Sequence, residues 1–179
     1  MTVNITMSSV SAADAFTDQL VALGEINSGA SSTEQDIFIT HDSIAAITEC
    51  AWYITRYVGS DYPGSDADAD LVEILGWGDD GVVAGGGLLL NQTIPVGWST
   101  GTSFDAVVAN WTLFASGTGE TDSQITLDKD AISVGSASVD GTIPLSGEAH
   151  VQIKMQIPSS ISGAGHRGVL LVFAFSAIS

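Results

Sequence analysis

Ala149-His150-Val151-Gln152-Ile153-Lys154-Met155-Gln156-Ile157 is followed, across a Pro-, Ser- and Gly-rich connection at 158–167, by Gly168-Val169-Leu170-Leu171-Val172-Phe173-Ala174-Phe175. In the first stretch Val151, Ile153, Met155 and Ile157 alternate with Gln152, Lys154 and Gln156. A period of two belongs to a strand with one buried face. The second stretch stays apolar almost to Ile178, as a strand buried on both faces does. Side by side, the two predict a sheet edge next to a sheet centre.

Strand patterns recur upstream. Residues 1–7 alternate, with Val3, Ile5 and Met7 against Thr2, Asn4 and Thr6. Residues 12–23 hold helix formers between Ser11 and Gly24, and predict a short helix. Residues 36–41 read as a strand. Residues 44–58 are rich in aromatic and β-branched side chains, and their length predicts a strand that bulges and changes sheet partner. The cluster Gly85-Gly86-Gly87 inside an apolar run predicts a bulge or a close backbone approach. From Thr93 onward short strands are expected at 93–99, 104–115, 124–127, 131–134 and 138–143, separated by Gly-, Ser-, Thr- and Asp-rich turns such as Asp140-Gly141. No α/β alternation and no fixed repeat is visible. The expected fold is all-β: an antiparallel β-sandwich, jelly-roll-like, over residues 36–179, preceded by a short N-terminal strand and helix arm over 1–35.

The charge balance narrows the partners. Among 179 residues there are 21 acids and four bases (Arg56, Lys129, Lys154 and Arg167), a formal net charge of −17. Such a surface repels phosphate, so neither nucleic acid nor an anionic membrane is an expected partner. The first residues, Met1-Thr2-Val3-Asn4-Ile5-Thr6, have no basic start and no apolar run, and predict no secretory leader. The apolar run at 168–178 is too short to cross a bilayer as a helix.

Motifs that carry chemistry are few. Asp66-Ala67-Asp68-Ala69-Asp70 places carboxylates at alternate positions, as a calcium loop begins. Leu71 then stands where the loop needs Gly, and Trp77 where it needs a bidentate Glu, so this is not an EF-hand. Asp66, Asp68 and Asp70 are the candidate Ca²⁺ ligands, against a plain exposed acidic loop. Glu73 with Asp79 and Asp80 is a second acidic group, and Trp52, Trp77, Trp98 and Trp111 could line a sugar cleft or fill a core. His41, His150 and His166 are scattered without metal-ligand spacing. Cys50 is alone in an apolar setting and reads as a small buried hydrophobe. No phosphate loop, dinucleotide fingerprint or nucleophile elbow occurs.

No catalytic residue and no cofactor is therefore expected. The composition points to a non-enzymatic structural protein of a viral particle, most plausibly a capsid decoration or cement protein of a tailed phage or archaeal virus. Its expected partners are itself, as a homotrimer, and a larger shell such as a major capsid protein, bound through strand edges and apolar loops. Its expected place is the virion, after synthesis in the host cytoplasm without a signal peptide. The alternative is a carbohydrate- or cell-surface-binding β-sandwich module of tail-fibre or adhesin type.

Overall fold

Strand β8 (Glu148–Gln156) is the centre of the larger sheet. It pairs along one edge with β2 (Gln35–His41). Its other edge is shared by β7 (Ile132–Val134) and β4 (Gly87–Asn91). The sheet continues outward to β1 (Ile5–Ser8) beyond β2 and to β5 (Thr112–Leu113) beyond β4, in the order β1-β2-β8-β4-β5. A smaller sheet runs β6 (Ile125–Thr126), β3 (Ile47–Thr55), β9 (Leu170–Ala177). Every pairing among the described residues is antiparallel. The computed structural model describes residues 3–8, 23–55, 87–93, 111–114, 124–157, 159 and 170–177. The helix expected over 12–23 falls almost wholly on residues 9–22, outside the described residues.

One hydrophobic cluster draws on both sheets. Ile37, Leu90 and Val151 come from the larger sheet; Ile47, Trp52 and Phe173 come from the smaller one. Trp52 and Phe173 are register partners on β3 and β9, with ring centroids 4.8 Å apart and planes tilted by 56°. That tilted packing avoids the face-to-face sandwich that the ring quadrupoles disfavour. Two antiparallel sheets closing on a shared core make an all-β, sandwich-like fold.

The roles expected of the two C-terminal strands are reversed. The strand read as a half-buried edge, β8, is the buried centre; only Lys154 and Gln156 are partly exposed. The strand read as a doubly buried centre, β9, lies in the other sheet and has β3 as its neighbour among the described residues. Phe173 is buried there, while Ser176 and Ala177 are exposed. Alternation reports which face is polar. It reports burial only if polar residues are solvated. In β8 the polar face is buried and hydrogen-bonded instead.

Two irregularities shape β3 and its neighbours. Pairing with β9 shifts between Thr48 and Ala51, and Glu49 there takes the left-handed conformation at φ 54°. This is the bulge the long β-rich stretch predicts. Across it the neighbour on the far side changes from Ile143, bonded to Ile47, to β6, which faces Ala51 and Trp52. The Cys50 N–H meanwhile bonds the Gly141 carbonyl at 2.9 Å. Residues 138–143, expected as a strand, form bends and a turn that meet β3 through the Ile143 bridge to Ile47 and the Gly141 bond to Cys50, without building a strand of their own. The Asp140-Gly141 turn interrupts any ladder there. Gly141 adopts φ +72°, and a Cβ on it would lie 3.4 Å from Thr126 Cγ2.

Candidate functional site

The pleat of β8 sends Glu148, His150 and Gln152 to the face opposite Val151 and Ile153. The register with β2 sets Asp36 across from Gln152, and Phe38 across from His150. The Asp36 Oδ1 carboxylate oxygen accepts the Gln152 Nε2 amide at 2.8 Å, and lies 2.9 Å from His150 Nε2. An ionised carboxylate only accepts, so Nε2 carries the imidazole proton. The His150 ring stacks on Phe38 with centroids 4.3 Å apart and planes within 8°. Its side chain is wholly buried, whereas that of Asp36 keeps 20% exposure.

The row extends both ways. Toward β7, the Ser133 hydroxyl donates to the Glu148 carboxylate at 2.8 Å. Toward β4, Asn91 stands opposite Gln152, and its Oδ1 accepts the Thr93 N–H at 3.1 Å. Further along the same face Lys154 Nζ sits 4.1 Å from the Trp111 ring centroid, a cation–π contact.

A histidine oriented by a carboxylate can serve as a general base when a substrate proton comes within hydrogen-bond reach. Here the His150 ring has no solvent-exposed surface and Asp36 is shared with Gln152. What the trio does in this geometry is fix register. A slip of one residue would turn Asp36 into the hydrophobic core and Ile37 out of it.

A second feature lies at one end of the sandwich. His41 Nε2 lies 3.0 Å from the Pro144 carbonyl, which also accepts the Gly147 N–H at 2.8 Å. Antiparallel bonding between Ile47 and Ile143 carries the loop after β2 alongside residues 144–146. Three large apolar side chains are exposed on the segments that meet here: Ile44 (69%) on the loop after β2, Leu145 (57%) beside Pro144 in the chain, and Val134 (49%), whose neighbour Gly135 packs against the Pro144 ring. Val139, 59% exposed, lies on the adjoining turn.

Acids border them. Asp42 accepts both the backbone N–H of Asn4 at 2.7 Å and its side-chain amide at 2.6 Å. Those bonds, the backbone one first, hold its carboxyl below the usual carboxylate range. Asp140 Oδ1 caps the Lys129 N–H at 3.0 Å. The Lys129 ammonium lies 2.7 Å from Asp130, whose hydrogen bond pushes the lysine's pKa up.

The residues singled out from sequence divide unevenly. Asp66, Asp68 and Asp70, with Glu73, Asp79, Asp80, Trp77, Trp98 and His166, lie outside the described residues. Among the described residues no three His, Cys, Asp or Glu side chains converge as a metal-holding group. Trp52 is fully buried and cannot line an open groove. Cys50 is also buried, and burial pushes its thiol up to about 11. Asp36 escaped notice in the sequence, and His150 read as one of three scattered histidines. The His-x-Gln spacing on a strand was a usable signal; the β2–β8 register that brings Asp36 to it was not.

The fold defines the class: an all-β, sandwich-like protein. Comparison with protein-family models, curated proteins and solved structures found no match to this chain.

Proposed function

We propose that this chain is a non-enzymatic structural protein of a viral particle, a capsid decoration or cement protein that assembles as a homotrimer on a larger shell. The observation that carries the reading is the apolar loop end. Ile44, Leu145 and Val134 are exposed on the three segments that meet at the Pro144 turn. Exposed large side chains gathered on loops and bordered by polar residues mark a protein contact surface. The strongly acidic composition supports the reading, because −17 keeps free copies soluble until they dock. The ties among Asp36, His150 and Gln152 support it also, since they spend the chain's one buried histidine–carboxylate pair among the described residues on the sheet itself. Jelly-roll wiring and a virion location belong to this proposal.

The test is cosedimentation. Particles from the source are separated on a density gradient, and fractions are probed with an antibody to the chain. The protein is expected with the particles, and after release it should run as a trimer by size-exclusion chromatography with light scattering. Recovery only at the top of the gradient, as a monomer that does not return to purified shells, would overturn the proposal.

A further inference from the structure

We infer that the loop end around Pro144 takes a protein partner whose contact face is apolar at its centre and basic at its rim, and that it does not take a second copy of this chain. The inference rests on the docking role proposed above and names the chemistry of the occupant.

The argument starts from the border. Asp42 adjoins Ile44 by two residues and is kept ionised by its two bonds from Asn4. Asp140 adjoins Val139, and Asp128 and Asp130 lie on the turn that Asp140 caps. The sequence places no Lys or Arg in 24–55 or in 130–153. The nearby base, Lys129, is already held by Asp130 at 2.7 Å. Among the described residues the apolar centre thus has a negative border, with no unpaired Lys or Arg on the segments that form it. A second copy docked face to face would bring the same acids against one another, and like charges across an interface oppose binding. A basic rim would match this border while the apolar centres exclude water.

The patch is also held in shape. A Cβ on Gly147 would lie 2.6 Å from Pro144 Cγ, and one on Gly135 would lie 2.8 Å from the same atom. The Pro144 turn is therefore packed tightly against the strands beside it. Leu145 is presented on a stiff support, which lowers the entropy cost of docking.

Two short synthetic peptides test the charge rule. They share an apolar Leu-Val-Phe centre; one is flanked by lysines and the other by glutamates. Binding is followed by backbone amide NMR shifts on the intact protein. The lysine-flanked peptide is expected to move the amides of Ile44, Val134 and Leu145, and to bind on the order of tenfold more tightly than the glutamate-flanked one. Raising salt should erode that difference. Leu145→Ser, at an exposed site, should keep the native circular dichroism and lose the shifts.

Equal binding of both peptides, no binding, or shifts centred elsewhere would overturn the inference. Sedimentation of the protein alone separates the two levels of the argument. Self-association that Leu145→Ser abolishes would make the occupant a second copy, sinking the basic-partner inference while leaving a docking surface in place. If Ile44→Ser and Leu145→Ser together leave particle cosedimentation unchanged, the docking role itself falls.

Discussion

Asp36 and His150, 114 residues apart in sequence, meet across β2 and β8 with Oδ1 and Nε2 at 2.9 Å. The contact is asymmetric in what its loss would cost. Asp36→Ala strands two buried donors, His150 Nε2 and Gln152 Nε2, each of which had faced the same oxygen. Removing one partner of a buried bond costs about 1–3 kcal/mol, and charge assistance places this case toward the upper end. Urea unfolding should show that loss in the midpoint with an unchanged slope. His150→Phe in the Asp36→Ala background removes a stranded donor and keeps the stack on Phe38. The double variant should therefore recover part of the loss; a cycle with no positive coupling would mean that the pair does not hold the register.

Among the described residues Trp52 supplies the largest fully buried side chain, yet its Nε1 has no hydrogen-bond partner there. Trp52→Ala should cost about 3–5 kcal/mol through the cavity it opens against Phe173. Trp52→Phe should cost much less than that, because the smaller ring removes an unsatisfied N–H together with some packing. Thermal melts of both variants check the ranking. Equal losses would show that the indole nitrogen is satisfied in solution.

The sequence announced the fold class through alternation and turn chemistry, both local signals. Residues 36–41 and 149–157 were legible as strands because neither needs a distant partner to be recognised. Their roles were not legible. Whether Gln152 faces water or Asp36 depends on the β2–β8 register, and that depends on residues more than a hundred positions away. The same limit hid the reversal of β8 and β9. The loop end around Pro144 was hidden for a related reason: Ile44 and Leu145 are ordinary apolar residues until Ile47 and Ile143 pair and leave both outside the core. The bulge in β3 was readable, since its length and composition exceed one regular strand.

Gly147 shows how closely the loop end is packed. An added Cβ would meet Pro144 Cγ at 2.6 Å, Cδ at 2.7 Å and the carbonyl oxygen at 2.8 Å. Two of those atoms belong to a ring and the third to the backbone, so none can swing away as a flexible side chain could. Gly147→Ala should destabilise the protein by about 1–3 kcal/mol, the usual range for overpacking. Pro144→Ala in the same chain should relieve the ring clashes but not the carbonyl one, giving partial rescue. Denaturant midpoints of the single and double variants decide it, and full stability of Gly147→Ala would show that this turn is free to shift.

Cys50 links burial to pH. Its thiol has no exposed surface, and burial raises its pKa from 9.0 to about 11. The folded state therefore holds the proton more tightly than the unfolded state does. Stability from this group is fully present below pH 9 and is lost as pH rises from about 9 through 11. Cys50→Ala lacks the titration but loses a sulfur from the core, at about 1 kcal/mol by the measure of small core truncations. Wild type should thus be the more stable protein at pH 8, with the gap closing or reversing toward pH 11. Lys129, whose pKa is also raised, titrates alike in both proteins and cancels in the comparison. A thiol reagent at pH 8 should react with the chain in denaturant and leave the native protein unmodified. Rapid native labelling, or a stability gap that stays constant with pH, would place Cys50 at the surface instead of buried within the β3 bulge.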